Sequence, residues 1–189
     1  MPHFRPVIDK PELDARVAAL GAELQSRYAG RELTTVTMLS GAAIFTADLL
    51  SSMQGVDVNM QFLKTASYAG TERTEHVDVS AGILDPRSIH GHDVLLIDDI
   101  LDSGHSLHVA LGLINAYEPR SVRTAVLLRK RGAQQPQYTE RADFVGFEID
   151  DLFAIGYGMD YNNKYRNLRY IAEFDEDTHR RLRDTIQNP

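Results

Sequence analysis

The chain has 189 residues, of which 43% are hydrophobic and 25% charged, a composition typical of one globular domain. It contains no cysteine, which excludes disulfides and thiolate chemistry and is typical of a reducing compartment. A formal net charge of -7 argues against a protein that grips a nucleic-acid backbone. The first thirty residues lack the apolar segment of a signal peptide, and no apolar run approaches the length of a membrane span. We therefore expect a cytoplasmic protein with no nucleic-acid or membrane partner.

Helical and strand patterns alternate along the chain. Apolar residues recur at helical spacing in some segments, and short runs of β-branched or apolar residues predict strands in others. In the first half, we predict a helix from Pro11 to Tyr28, a strand from Leu33 to Leu39, a helix from Ala42 to Met53, a strand from Val58 to Leu63 and a loop from Lys64 to Glu75. In the second half, we predict a strand from Asp93 to Ile97, a helix from Leu107 to Tyr117, a strand from Val122 to Leu128, short apolar segments at 144–147 and 153–155, and a short amphipathic helix after Asp175. This alternation predicts an α/β fold, an open and mostly parallel sheet flanked by helices.

The segment DVLLIDDILDSGHSL, residues 93–107, carries the clearest functional signal. Asp98, Asp99 and Asp102 crowd three carboxylates at the end of a buried strand, where ligands of open α/β sheets bind. Like charges this close repel one another unless a cation or a hydroxyl-rich ligand relieves them. We therefore expect the two adjacent acids to bind a ribose diol or Mg²⁺.

The residues after these acids, Ser103, Gly104, His105 and Ser106, form a turn that leads into a helix. Backbone N–H groups in such a turn bind phosphate, and the two serine hydroxyls add donors. Taken singly, these residues are more typical of a turn and a helix cap. Together, after one buried strand, they favour a site for a ribose 5-phosphate. The glycine spacing matches neither the dinucleotide-binding nor the P-loop pattern.

The sequence IDDILDSGHS resembles the phosphoribosyl-pyrophosphate (PRPP) motif of type I phosphoribosyltransferases. Within that family it is similar to the hypoxanthine-guanine enzymes, because adenine-specific relatives usually carry a small residue at the position of Asp102. The segments LKTASYAG (63–70), LLRKRG (127–132) and DFVGFEIDDLFAIGYGMDYNNKYRNL (143–168) match that family in order and spacing. The resemblance therefore covers about residues 33–171.

The resemblance implies a fold, an assembly and a reaction. A single type I phosphoribosyltransferase-like domain over residues 1–189 would have its core at about 33–150 and a small hood built from the N-terminal and C-terminal segments. The protein would be a Mg²⁺-dependent purine salvage enzyme that transfers the phosphoribosyl group of PRPP to hypoxanthine or guanine. It would form a homodimer or a homotetramer. The choice among hypoxanthine, guanine and xanthine stays open.

The resemblance also implies a role for each residue of the acidic segment. Asp102 would face the purine N7 as general base or as hydrogen-bond acceptor, and the neighbouring acids would favour its protonation. Asp98 and Asp99 would bind the ribose hydroxyls and one Mg²⁺. Residues 102–106 would surround the 5-phosphate, mainly through backbone N–H groups.

Further matched residues are expected around the purine and the pyrophosphate. Lys130 would donate to the purine 6-oxo group, and Phe153 would stack on the purine face. The backbone carbonyl of Ala154 would contact the other purine edge. Asp160 would lie at the purine pocket and a second Mg²⁺, and Arg166 would contact pyrophosphate. Taken alone, the lysine is more typical of a surface charge and the phenylalanine of a core residue.

Two loops complete the expected site. Ser67 and Tyr68 match the Ser-Tyr pair of a mobile loop that closes over PRPP in relatives, although a disordered surface loop would look the same. Ser40 and Gly41 match a pyrophosphate-binding turn in which relatives commonly carry lysine where this chain has serine. We expect the turn to act through backbone N–H groups around a cis peptide bond before Ser40.

Two other functions fit parts of the pattern. A nucleotide-sensing regulator of the same fold would bind RNA or a partner protein through a basic face, of which the acidic sequence offers little sign. A metal-binding receiver domain would explain Asp98 and Asp99 but would leave Lys130 and the 157–166 segment unexplained.

Overall fold

The computed structural model describes residues 4–67, 77–80 and 84–177. The first half of the chain forms strand β1 (Pro6–Ile8), helix α1 (Lys10–Tyr28), strand β2 (Glu32–Leu39), helix α2 (Ala43–Ser51), strand β3 (Asp57–Ser67) and strand β4 (Val77–Ser80). The second half forms a 3₁₀ turn (Pro86–Ser88), strand β5 (Asp93–Leu101), helix α3 (His105–Asn115), and strands β6 (Ser121–Lys130), β7 (Phe144–Ile149), β8 (Ala154–Ile155) and β9 (Ile171–Glu173). The helix predicted after Asp175 begins with Glu176 and Asp177, which are helical, and the rest of it lies outside the described residues.

The main sheet has the strand order β4-β3-β2-β5-β6-β7, and all neighbours except β3 and β4 are parallel. This confirms the predicted open, mostly parallel sheet. From β2 the chain moves outward through α2 to β3, and it then returns to place β5 on the other side of β2. The order therefore reverses between β2 and β5, and ligands of open α/β sheets bind beside such a reversal.

Both faces of the main sheet are covered, which explains the continuous apolar run at the start of β5. Leu95 and Ile97 point into one core, which also contains Phe45 of α2 and residues of α1. Val94 and Leu96 point into a second core on the α3 side. Each fully buried Leu or Ile stabilises the fold by about 1.5–3 kcal/mol relative to exposure. The apolar run therefore anchors the strand that carries the paired acids.

A small antiparallel sheet in the order β1-β9-β8 joins the N-terminal segment to the C-terminal segment. Phe4 is buried beside it and meets the ring of Tyr165 edge-on, with centroids 5.0 Å apart. These are the segments from which a hood was expected. In the described residues, no helix is at once long enough and apolar enough for a membrane crossing.

Several predicted boundaries were wrong, and the main sheet explains the largest errors. β5 continues past Ile97 to Leu101, because its acidic half pairs with β6, for example Asp98 with Val126. β3 continues through Lys64 to Ser67, so the predicted loop begins as a strand paired with β4. Backbone pairing with a neighbouring strand overrides the weak strand propensity of aspartate and lysine.

The remaining boundaries shift by one or two residues. α3 begins at His105 rather than Leu107, because Gly104 adopts a left-handed conformation with φ of 90° that starts the helix. α2 ends at Ser51 rather than Met53, since the next two N–H groups bond three residues back. β6 extends to Lys130, which places that side chain at the carboxyl end of the sheet.

Asp93 ties the amino end of β5 to β6. Arg120 donates two hydrogen bonds to its carboxylate, at 3.0 and 2.5 Å, and the Ser121 hydroxyl donates a third at 2.7 Å. The Arg120 hydrogen bonds lower the pKa of Asp93 to about 2, against the opposing effect of burial. The folded protein therefore holds this group ionised more strongly than the unfolded chain does.

We predict that Asp93→Asn lowers the free energy of unfolding by about 1–2 kcal/mol at pH 7. Because the folded pKa is depressed, the contribution is present above about pH 4 and is lost as the pH falls towards 2. Urea denaturation at pH 7, 5, 4 and 3 measures it. The exposed Asp57→Asn is the control, and a wild-type advantage that stays constant down to pH 3 would contradict the assignment.

Candidate active site

A cavity of about 1130 Å³ opens at the carboxyl ends of β2 and β5, where the strand order reverses. Most of the residues predicted from the sequence line it: Ser40, Gly41, Asp98, Asp99, Asp102, Ser103, Gly104, Ser106, Phe153, Asp160 and Arg166. Residues far apart in the chain therefore meet at one edge of the sheet.

The paired acids lie within strand β5, near its carboxyl end, rather than in a loop. Asp98 is buried, with 8% of its surface exposed, and its carboxylate accepts the Asp99 backbone N–H at 2.9 Å. Burial raises the pKa of both carboxyls, and the Asp99 charge raises that of Asp98 further. The site thus holds two carboxyls whose negative charge is costly until a cation or a donor relieves it.

The turn after β2 is pressed against these acids. The Leu39–Ser40 peptide bond is cis, as expected from the sequence. A Cβ on Gly41 would lie 1.8 Å from an Asp99 carboxylate oxygen, and a Cβ on Gly158 would lie 2.0 Å from the Gly41 carbonyl oxygen. Gly158 must therefore be glycine, since it also has a φ of 105°, and a side chain on Gly41 would displace the Asp99 carboxylate from its present position.

The turn that follows the acids offers free backbone donors. Gly104, the residue before α3, provides no side-chain cap, so the Ser106 and Leu107 N–H groups of the first turn are available to an anion. The His105 N–H donates instead to the Ser103 hydroxyl at 3.4 Å. Ser103 and Ser106 line the cavity beside them. His105 does not line the cavity: its ring stacks on Tyr138, with centroids 5.1 Å apart and planes at 5°. Its side chain therefore packs against Tyr138, outside the cavity.

Asp102 and Lys130 form an ion pair at the edge of the cavity. The Lys130 Nζ lies 2.8 Å from the Asp102 carboxylate and 3.0 Å from that of Asp151. Burial lowers the pKa of Lys130, but the hydrogen bonds to Asp102 and Asp151 outweigh it and raise the pKa above its usual value. Lys130 itself does not line the cavity and reaches it through Asp102. The site therefore contains a firmly protonated donor next to a carboxylate acceptor.

Phe153 is exposed inside the cavity rather than packed in the core. More than half of its surface, 53%, is open, and its ring meets those of Tyr161 and Phe174 edge-on with centroids 5.9 Å apart in each case. An open aromatic face supported by other rings suits a planar ligand. Ala154 lies next to it in β8 but does not line the cavity.

Arg166 and Asp160 close the other side of the cavity. Their ion pair spans 2.6 Å, and Arg166 also donates to the Gly158 carbonyl oxygen at 2.6 Å. Asp160 accepts the Asn163 backbone N–H at 2.7 Å. The segment is a tight loop in which Asn162 and Asn163 both have positive φ. Asparagine tolerates that conformation better than most residues do.

Three comparisons with known proteins agree with this geometry. Residues 7–162 match the model of the phosphoribosyl transferase domain family. The chain is 35% identical over 170 residues to a hypoxanthine-guanine phosphoribosyltransferase of Mycobacterium avium, covering 87% of this chain and 82% of the relative. It is also 35% identical over 170 residues to a hypoxanthine phosphoribosyltransferase of Salmonella typhimurium, covering 88% and 93%. The crystal structure of a hypoxanthine-guanine phosphoribosyltransferase from Bacillus anthracis superposes with a TM-score of 0.82 at 31% identity, covering 92% of this chain and all of that one (100%).

The chain belongs to the hypoxanthine-guanine phosphoribosyltransferase family. The resemblance and the fold predicted from the sequence are thereby confirmed. The alternative of a nucleotide-sensing regulator finds no support in these comparisons.

Some residues expected in a hypoxanthine-guanine phosphoribosyltransferase site lie elsewhere than predicted. Ser67, assigned to a mobile loop, is the last residue of β3 and pairs with Val77, and Tyr68 lies outside the described residues. Sequence reasoning also missed polar and aromatic residues that line the cavity, namely Lys64, Tyr161, Asn162 and Asn163. It also missed Asp151, which forms an ion pair with Lys130. The pair of asparagines before Lys164 was the one visible signal, because successive asparagines favour left-handed turns.

The carboxylates of this hypoxanthine-guanine phosphoribosyltransferase fit Mg²⁺ that arrives with a phosphate ligand. Among the described residues, no group of three or more His, Asp or Glu side chains forms a complete metal site. Mg²⁺ commonly takes one or two carboxylates together with substrate phosphates rather than an all-protein cage. Asp98 and Asp99 supply two such oxygen donors, and a cation would offset the burial and charge crowding that raise their pKa values.

We predict that Asp98→Asn makes the metal-free protein more stable at pH 7, by on the order of 1 kcal/mol. An acid whose folded pKa is raised destabilises the fold as the pH rises above its unfolded pKa, and asparagine removes that charge. The amide oxygen can still accept the Asp99 N–H. Thermal denaturation in EDTA between pH 4 and pH 8 measures the effect, with Asp57→Asn as control. A variant that is less stable than the wild type throughout that range would contradict the charge crowding.

Proposed function

We propose that the protein transfers the 5-phosphoribosyl group of PRPP to hypoxanthine and guanine, which yields IMP, GMP and pyrophosphate. Membership of the hypoxanthine-guanine phosphoribosyltransferase family supports the reaction class. The observation that carries the substrate assignment is the contact of 2.8 Å between Asp102 and Lys130, beside a phosphate-binding turn. It places a proton acceptor and a cationic donor next to each other.

The two groups match one edge of a 6-oxopurine. N7 and O6 lie side by side on that edge of guanine and hypoxanthine. A purine that attacks C1′ through N9 carries its proton on N7, and Asp102 accepts that proton while Lys130 donates to O6. Lysine has no acceptor, so the 6-amino group of adenine finds no partner there. Phe153 stacks on the purine face and excludes water.

PRPP extends from the turn at residues 103–106 across the paired acids. Its 5-phosphate accepts hydrogen bonds from the backbone N–H groups at the start of α3. Asp98 and Asp99 accept hydrogen bonds from the ribose hydroxyls and hold Mg²⁺, which supplies charge neutralisation to the phosphates when bound. The pyrophosphate group then points to the turn at Ser40 and Gly41 and to Arg166.

The reaction exchanges one bond at the ribose C1′ for another. The C1′–O bond to pyrophosphate breaks, the purine N9 bonds to C1′, and the N7 proton passes to Asp102. The ribosyl group is cationic in between, so the site must hold both reactants in line and keep water away. We assign this exclusion to Phe153 and, from the resemblance, to the Ser67 and Tyr68 pair, whose counterparts close over PRPP in relatives.

We further propose that the enzyme is a cytoplasmic homodimer or homotetramer. The absence of cysteine supports a reducing compartment. The assembly rests on the resemblance to oligomeric relatives.

We expect purified protein with Mg²⁺ and PRPP to convert hypoxanthine and guanine to nucleotides with stoichiometric pyrophosphate. Comparing kcat/KM for hypoxanthine, guanine, xanthine and adenine under one set of conditions measures the specificity. Adenine should be the poorest of the four, because Lys130 stays protonated. If neither nucleotide nor pyrophosphate forms at high enzyme concentration, the proposed function is wrong.

We predict that Asp102→Asn retains PRPP binding within a few-fold and lowers kcat by about 10²–10⁴-fold, because an amide cannot take up the N7 proton. Steady-state kinetics with guanine measures both parameters. Asp151→Asn removes the other carboxylate that contacts Lys130 and should cost much less turnover. Equal losses in the two variants would show that only the charge around Lys130 matters.

A further inference from the structure

The cavity carries more negative than positive charge, although its proposed substrate is a polyanion. Its described lining residues include four carboxylates, those of Asp98, Asp99, Asp102 and Asp160, but only two cations, Lys64 and Arg166. A bound Mg²⁺ offsets part of this imbalance. The pyrophosphate group still needs protein donors with positive charge, since phosphate oxygens prefer charge-assisted hydrogen bonds.

The two cations are not equally available. Arg166 is already bound to Asp160 at 2.6 Å and to the Gly158 carbonyl oxygen at 2.6 Å. Lys64 forms no ion pair with any residue in the described part of the chain, and it is exposed. Lysine presents a compact charge on a flexible stem that suits phosphate. Lys64 is therefore the cation in the described lining that can move to an incoming anion at least cost.

Strand register places Lys64 at one particular end of the cavity. Lys64 of β3 pairs with Leu39 of β2, the residue directly before the Ser40–Gly41 turn. Parallel neighbours lie about 4.8 Å apart and point paired side chains to the same face. The phosphate-binding turn at 103–106 follows β5, on the opposite side of β2. Lys64 thus stands beside the pyrophosphate end and away from the 5-phosphate end.

We propose that Lys64, in addition to Arg166, binds the pyrophosphate group of PRPP and the pyrophosphate product. This inference rests on the proposed function. Ser40 brings no charge to the pyrophosphate turn, and the ammonium group comes instead from the adjacent strand. The turn after β2 contributes backbone N–H groups to the pyrophosphate group, and Lys64 of the neighbouring strand β3 contributes the positive charge.

The test compares Lys64→Met, Lys64→Arg and the control Lys10→Met, which removes an equal charge from the surface of α1. Lys64→Met should raise the KM for PRPP and weaken the binding of inorganic pyrophosphate, each about tenfold or more. The kcat and the KM for guanine should stay within about twofold, because the contact exists both before and after the C1′–O bond breaks. Lys64→Arg should retain most of the affinity.

Adding Ser40→Lys to Lys64→Met gives a second, independent readout. A lysine in the turn should restore much of the pyrophosphate affinity, since the charge returns to the same end of the cavity. Calorimetric titration of the full chain with pyrophosphate and Mg²⁺ reports this without any turnover.

The outcomes separate the inference from the proposed function. If the wild type makes IMP and GMP while Lys64→Met binds PRPP and pyrophosphate normally, the role of Lys64 is overturned and the function stands. If the wild type makes no nucleotide, the function is overturned. Pyrophosphate titration of the variants then decides on Lys64 by itself. A loss of affinity that Lys10→Met reproduces would reduce the effect to net charge and overturn the inference.

Discussion

The structure depends on a buried strand that carries two adjacent carboxyls near its carboxyl end. The apolar half of β5 is anchored in both cores, and its acidic half is held by pairing with β6. The chain therefore cannot relax the repulsion between Asp98 and Asp99 by moving the backbone. Their raised pKa values record that constraint. A cation or a hydroxyl-rich ligand bound at this place would relieve the repulsion.

Two cations of the site form ion pairs with neighbouring carboxylates in the ligand-free protein. Lys130 is held by Asp102 and Asp151, and Arg166 is held by Asp160. These pairs keep partly buried charges satisfied in the free protein, where an unpaired charge would be costly. In the proposed reaction a purine or a phosphate would replace those contacts, and the site would then select groups of matching polarity.

Much of the site could be predicted because its signals are local. Asp98, Asp99 and residues 102–106 are close in sequence, so strand, acids and turn could be read as one unit. Phe153 and Lys130 were harder, because a phenylalanine in an apolar run and a lysine between arginines have commoner explanations. Phe153 was singled out by its match to the family, and Lys130 by that match together with its place after the strand at 122–128. Lys64 was missed, since its importance comes from pairing with Leu39 on another strand.

The sequence by itself determined the α/β class, the buried strand with its acidic end and the small-residue turn after it, because periodicity and residues within a few positions of one another do not depend on the rest of the chain. The family followed from the resemblance of several motifs, taken in their order and spacing. The tertiary structure decided that β5 continues through its acids, that Lys130 pairs with Asp102, and that Lys64 stands beside the Ser40–Gly41 turn. Those features depend on strand order and register, which are set by packing between residues far apart in the sequence.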